Sequence, residues 1–359
     1  MAKKSWYVIG LMSGTSLDGL DLVYAKFWLD RGYGFEILEK YSLNYSELWK
    51  NKLKGAFDVS AEELIQLDAE YGQFLGQQVK EFIEKKGVKK IDFIASHGHT
   101  VFHQPEAYFT LQIGNGAHIA AETGIKVIAD FRGQDVALGG QGAPLVPIGD
   151  RHLFGSYGAC LNIGGFANIS YEVDQNRIAY DICAANIVLN HFTRAVGLEY
   201  DDGGQMASTG KVNQKLLGIL NGLEFYQEKA PKSLGYEYVV DRILPIINDF
   251  EMTLEDILRT WVEHAAIQIG NVINKLGEKQ GPGLKTLITG GGAFNHFLIE
   301  RIGHQVKSEL VIPGKDLINF KEALIFGFLG VLRDSEQVNC LKSVTGASKD
   351  HSSGLIYIV

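Results

Sequence analysis

Two carboxylates, Asp18 and Asp21, stand just past a turn of small residues in the run Gly10-Leu11-Met12-Ser13-Gly14-Thr15-Ser16-Leu17-Asp18-Gly19-Leu20-Asp21. Backbone N–H groups and hydroxyls in such a turn can close around an anion, because glycine and serine keep bulk out of the way. A carboxylate beside that nest is suited to the hydrated Mg²⁺ that travels with a nucleotide. An ordinary β-hairpin with a long turn is the alternative reading.

A second turn of this kind, Gly164-Gly165, interrupts Ala159–Tyr171, and a third, Thr289-Gly290-Gly291-Gly292, follows a short apolar run. The third precedes an expected helix starting near Asn295, whose positive end suits an anion, and its missing side chains let a flat adenosine moiety approach. A plain loop would look the same. No GxxxxGK[ST] and no GxGxxG occurs, so neither a P-loop nor a dinucleotide-binding turn is expected.

Asp181 follows the apolar strand end Ile178-Ala179-Tyr180, where a carboxylate facing a cleft can act as a general base. It could equally cap the helix expected through Ile187, Val188 and Leu189. His97, His99 and His103 lie close together, and alternation would turn His97 and His99 the same way. Metal binding is one use of them; hydrogen bonding to a polar ligand and a structural role are the others. Glu322 reads as a carboxylate in the first turn of a helix. Asp201-Asp202-Gly203-Gly204 could be a hinge or a solvated turn.

The elements that must position these residues occur twice. Each half opens with strand, glycine turn and strand, and later carries a long amphipathic helix, a glycine stop, a short apolar strand and a polar turn. The first helix starts at Ser60 with Glu63 three residues on, a capping box, and Gly87 should end it. The second starts near Thr253 and should end at Gly277, before Leu284–Ile288. This order favours α/β layering, a duplicated architecture and a ligand cleft between halves. The segment from Asp130 to Pro147 should be a boundary loop lining that cleft.

A chain of 359 residues, 46% of them apolar, has material for two domains. Its net charge of −8 and lack of a basic tract argue against nucleic acid as a partner. Three scattered cysteines, Cys160, Cys183 and Cys340, show neither a disulfide framework nor zinc-type spacing, which suits a reducing cytosol. No signal peptide or transmembrane run is expected, and the location expected is cytoplasmic.

Taken together these residues resemble the anhydro-N-acetylmuramic acid kinases, of the sugar kinase/Hsp70/actin superfamily, over essentially the whole chain. Gly10–Asp21, Asp135–Pro147 and Asn162–Asn168 are the most specific matches, with Gly290–Asn295, Glu322-Ala323 and Val344–Ala347 in support. The resemblance implies a two-domain actin-like ATPase fold, with residues 1–131 plus 341–359 in one lobe and 132–340 in the other. It implies that Gly14, Thr15, Ser16, Leu17, Asp18, Gly19, Leu20 and Asp21 bind ATP, with Gly164, Gly165, Gly290, Gly291 and Gly292. Mg²⁺ would arrive with ATP and meet Asp18 through water, with no direct metal ligand on the protein.

Asp181 would be the catalytic base, and His97, Arg132, Asn186 and Glu322 would contact the sugar, Arg132 through the lactyl carboxylate. The implied reaction opens 1,6-anhydro-N-acetylmuramic acid with water and phosphorylates O6, a step of peptidoglycan recycling. Partners would be the sugar and ATP, with no nucleic acid and no membrane; the oligomeric state stays open, a homodimer being compatible. The chain departs from the family at Asp181-Ile182-Cys183-Ala184-Ala185-Asn186, where Asp-Thr-Gly-Pro-Gly-Asn is usual, and at His99, where Gln is usual. A kinase for another sugar, a non-catalytic nucleotide or muropeptide sensor and an actin-like filament protein are the alternatives.

Overall fold

Alternating apolar residues build the strands that carry the first turn: β1 (Lys4–Ser13), β2 (Gly19–Leu29) and β3 (Tyr33–Asn44). The computed structural model describes residues 4–14, 17–281 and 283–359, so Thr15 and Ser16 of the expected ATP loop lie outside the described residues. Helix α1 (Ala61–Lys86) follows, then β4 (Phe93–Ser96), the hairpin β5 (His99–Gln104) and β6 (Phe109–Ile113), β7 (Val127–Ala129) and the short α2 (Gly133–Ala137). The second half holds β8 (Ala159–Ile163), β9 (Phe166–Val173), β10 (Asn176–Ala184), α3 (Asn186–Arg194) and α4 (Leu254–Gln280). Then come β11 (Lys285–Thr289), α5 (His296–Gln305), β12 (Glu309–Val311), α6 (Lys315–Asp334) and β13 (Leu355–Tyr357).

The chain divides into two compact units, residues 1–153 with 320–359, and residues 154–319. The first unit's sheet has the order β13-β7-β4-β1-β2-β3, and the second's β10-β9-β8-β11-β12. In both, three strands form an antiparallel meander and two more join parallel to the first strand of that meander. A parallel neighbour demands a crossover, and in the first unit α1 supplies it between β3 and β4. The same five-strand topology therefore appears twice, with β13 as an extra edge in the first unit. This is the duplicated ribonuclease H-like sheet of actin-like ATPases.

The capping box opens α1 as its sequence predicts. Ser60 accepts from the Glu63 amide, the Glu63 carboxylate accepts from the Ser60 amide, and Gly87 closes the helix in the left-handed region at φ 62°. Such a cap contributes about 1 kcal/mol. Leu67, Tyr71, Leu75, Val79 and Phe82 then face the first unit's core. Helix α4 starts behind its Thr253 cap as expected but passes Gly277 and stops at Gln280. One interior glycine costs only about 1 kcal/mol, too little to break a helix whose Ile269, Ile273 and Leu276 are buried.

The boundary expected between lobes moves. Residues 132–153 and 320–340, assigned from sequence to the second lobe, belong to the first unit. The reason lies in α6, which packs so tightly on β1 that a Cβ on Gly10 would stand 2.1 Å from the Ala323 carbonyl oxygen. Phe328 meets Phe27 of β2 at 5.7 Å between ring centroids. The Asp130–Pro147 segment, expected as a boundary loop, is likewise part of the first unit, with Asp135 and Val136 buried. Among the described residues no helix is long and apolar enough to cross a membrane.

Candidate active site

The first unit gathers the Gly14 turn, His97, Arg132 and Glu322. β1 delivers Ser13 to the turn, and Ser13 Oγ sits 3.2 Å from His99 Nδ1 while accepting from the Tyr45 hydroxyl at 2.8 Å. Tyr45 in turn meets the Tyr71 hydroxyl at 2.5 Å. Burial pushes His99 down to about 4, so it stays neutral near pH 7. Past the turn, Leu17 takes φ 60° with its amide 3.4 Å from the Gly14 carbonyl oxygen. Asp18 is exposed. Asp21 accepts from the Ser42 hydroxyl; burial raises its pKa against that bond, and Asp18 adds to the rise.

His97 joins this region to Arg132. Its amide donates to Leu11 of β1 at 3.1 Å, and its ring Nδ1 lies 2.8 Å from the Gly98 carbonyl oxygen, to which it donates. Nε2 is then a bare acceptor, and Arg132 Nε donates to it at 2.9 Å. Burial, and then the Arg132 charge, hold His97 well below the usual imidazole range. Arg132 Nη1 donates to the Gly142 carbonyl at 2.7 Å, which fixes the guanidinium at two points. Burial lowers Arg132 to about 10, opposed chiefly by Glu322, so it remains a cation. Glu322 is open to solvent on one side; the protein around it raises its pKa, with Arg132 and then Lys321 opposing.

Two sequence expectations change here. Glu322 stands in the middle of α6 rather than in a first turn, because the helix begins at Lys315. His97 and His99 do not share a strand alternation: Gly98, at φ 74°, separates the end of β4 from β5. His97, His99 and His103 hold different partners, His103 Nδ1 lying 3.2 Å from Thr110 Oγ1, so they form no common metal site.

The second unit brings together Gly164, Gly165, Asn186 and Gly290–Gly292. β8 and β11 run parallel and end side by side, so their turns meet. A Cβ on Gly290 would lie 2.6 Å from the Ile163 carbonyl oxygen, and φ is 84°, so only glycine fits. Gly291 is the opposite case, with nothing within 4 Å of a Cβ. The turn is therefore bare backbone on one face and tightly packed on the other. The Gly164-Gly165 turn accepts from the amides that open α3: Asn186 donates to Gly164 at 3.2 Å and Ile187 to Gly165 at 3.1 Å. Asn295 caps α5, as the expected helix start requires.

Asp181 lies within β10, three residues before its end, and does not cap α3, whose N-cap is Ala185. The 232–234 loop holds it: the Leu234 amide donates to Oδ2 at 2.9 Å and the Ser233 hydroxyl to the same oxygen at 3.1 Å. Both bonds fall on one oxygen, so Oδ1 keeps its acceptor capacity. Burial raises the Asp181 pKa, opposed by the Leu234 and Ser233 bonds. The altered stretch after it is apolar for a structural reason. Ile182, Cys183, Ala184 and Ala185 sit in the second unit's core, and Trp261 Nε1 donates to the Ala185 carbonyl at 3.1 Å. Sequence reasoning missed Tyr45, Tyr71, Ser233 and Leu234, which carry no local motif and reach their partners only through folding.

The duplicated sheets define the class, an actin-like ATPase fold. The sequence profile of the anhydro-N-acetylmuramic acid kinases matches residues 6–359, and this chain belongs to that family. The anhydro-N-acetylmuramic acid kinase of Mannheimia succiniciproducens is 34% identical over 373 aligned positions, covering 98% of each chain. That of Saccharophagus degradans is 35% identical, covering 97% of this chain and 98% of its own. Among solved structures, the ADPNP-bound activator of 2-hydroxyisocaproyl-CoA dehydratase from Clostridium difficile aligns with a TM-score of 0.42 at 13% identity, covering 92% of this chain and 97% of that one.

Proposed function

We propose that this chain phosphorylates 1,6-anhydro-N-acetylmuramic acid with ATP and Mg²⁺, adding water across the anhydro bridge to give N-acetylmuramic acid 6-phosphate and ADP. The family match over residues 6–359 carries this reading, together with an aspartate held as a general base should be. Asp181 takes a proton from water through Oδ1 while Oδ2 stays anchored, so the oxygen that reacts is already oriented. Its raised pKa makes it a stronger base than a solvated carboxylate, and the two donors oppose that rise. Water adds to the anomeric carbon, the anomeric C–O bond to the bridge breaks, and O6 is freed to accept phosphoryl. Room for a water beside the base is the requirement shared with inverting glycosidases.

ATP with Mg²⁺ supplies the phosphoryl group and the charge neutralisation that its transfer needs. The Gly14–Asp21 turn, with Asp18 meeting the hydrated ion, and the Gly164-Gly165 and Gly290–Gly292 turns would hold the nucleotide. Arg132, aimed by His97 and Gly142, would take the sugar's lactyl carboxylate, with Asn186 and Glu322 serving its hydroxyl and amide groups. The site is expected to work in the cytoplasm on two small molecules. Incubation with ATP·Mg²⁺ and the anhydro-sugar, followed by mass spectrometry, tests the reading. Product gaining both water and phosphate supports it; gain of phosphate alone makes the chain a conventional sugar kinase, and no gain with ATP intact removes the activity.

A further inference from the structure

Away from the glycine turns, Asp135 on α2 meets two residues from near the C-terminus, Cys340 and His351. A carboxylate oxygen of Asp135, the Cys340 sulfur and a ring nitrogen of His351 all lie within 4.8 Å of one another. The three residues are only 0%, 2% and 6% exposed. Their backbones are already rigid. Cys340 and His351 face each other across an antiparallel bridge, with N–H···O bonds of 3.1 and 3.2 Å. Asn339 clamps the same loop through Ser353, accepting from its amide at 2.7 Å and donating to its carbonyl at 2.8 Å. Asp135 is oriented by the Gly142 amide and the Thr345 hydroxyl, each at 2.8 Å.

His351 supplies the observation that points to a ligand. Its Nδ1 lies 3.2 Å from the Lys349 carbonyl oxygen, which can only accept, so Nδ1 carries the proton. In the neutral ring Nε2 is then a bare lone pair, and it has no hydrogen-bond partner among the described residues. It faces Asp135 Oδ1 at 3.5 Å, so two acceptors meet in a buried space. A lone pair aimed at a carboxylate is repulsive unless a cation, either a proton on Nε2 or a bound metal ion, lies between them. A histidine that donates one ring N–H to a carbonyl and turns the other nitrogen inward has the outer-shell arrangement of a metal ligand.

We propose that Asp135, Cys340 and His351 form a structural site for a Zn²⁺-class divalent cation, with water in the fourth position. Mixed sulfur, imidazole and carboxylate donors suit zinc among the common divalent ions. Bonds of about 2.0–2.3 Å would draw the three atoms together by small side-chain rotations. Binding releases the Cys340 proton to solvent, and the ion's two charges then balance one thiolate and one carboxylate, so no net charge is buried. Burial raises the free thiol, as does Asp135, while Arg132 opposes them. The ion would staple the C-terminal segment to the helix that follows Arg132.

The full chain is produced in medium supplemented with Zn²⁺ or Co²⁺, so that the ion is present as the protein folds, and is then gel-filtered in chelator. Elemental analysis should find about one Zn²⁺ per chain, and the Co²⁺ protein should show near-ultraviolet thiolate-to-metal charge-transfer absorption. Cys340→Ser should abolish that absorption, and His351→Gln should cut retained metal at least about tenfold. Wild-type protein without retained metal and without the thiolate band overturns the proposal, a result that does not depend on either variant folding. Equal zinc content in wild type and both variants overturns it too, by placing the ion elsewhere.

Discussion

Replacing Asp181 with Asn removes the ability to take a proton and changes almost nothing in shape. The Asn carbonyl can still accept from the Leu234 amide and the Ser233 hydroxyl, which both bind Oδ2 in the native chain. Because burial raises the native carboxyl pKa, the fold disfavours its charged form. The aspartate therefore stabilises the fold most at low pH, and that contribution fades as pH rises through its folded pKa. At neutral pH a neutral amide should leave the melting temperature unchanged or slightly higher. The chemistry should suffer alone. Loss of general-base help costs roughly 10²–10⁴-fold in kcat, or about 2.7–5.4 kcal/mol of transition-state stabilisation. A coupled assay of ADP release gives kcat, and calorimetry of nucleotide binding gives the control. The wild-type rate should also fall as acid protonates Asp181, a limb the variant lacks. A variant within threefold of wild-type kcat would sink the base assignment; a variant that loses nucleotide binding as well would show that Asp181 serves architecture.

Arg132→Lys breaks the paired contacts to His97 and Gly142, and loss of one charge-assisted bond of about 1.5–3 kcal/mol should raise the sugar KM roughly 10–150-fold with the ATP KM unmoved. Equal effects on both would refute a role in sugar recognition. Gly290→Ala should lower stability by about 1–3 kcal/mol, read as a fall in melting temperature, because it forces a Cβ against Ile163 at φ 84°. Gly291→Ala, which has open space, should fold like wild type yet weaken nucleotide binding; unchanged nucleotide affinity would take that turn out of the ATP site. His99 is held neutral at about 4, below its ordinary 6.5, so the stability it secures is complete above about pH 6.5 and drains as pH falls towards 4, by about 3 kcal/mol. His99→Gln, which can keep a bond to Ser13, should flatten that acid limb in melting curves; superimposable curves would refute the argument.

Local chemistry was readable wherever one short segment carries its own instructions. The capping box at Ser60 and Glu63, the Thr253 cap and the Asn295 start act within a turn of themselves, so they hold in the folded chain. The glycine turns were visible for the same reason, since tight backbone needs small residues whatever surrounds it. Legibility failed where the partner is remote. Nothing around Asp181 announces that Ser233 and Leu234 will anchor it, and nothing near Ser13 points to Tyr45 and Tyr71. Spacing of the cysteines argued against zinc, yet Asp135, Cys340 and His351 converge across more than two hundred residues of chain.

Residue order alone therefore determined the repeated strand–turn–strand units, the helices between them and the family, because periodicity and turn chemistry are properties of neighbours. Tertiary packing decided the unit boundary, where the close approach of α6 to Gly10 draws residues 320–340 onto the first sheet. It also decided protonation: His97 and His99 are neutral because folding strips water from them, and Arg132 is aimed because Gly142 and His97 hold it. Desolvation and long-range hydrogen bonds exist only once distant segments meet, so no reading of adjacent residues could have contained them.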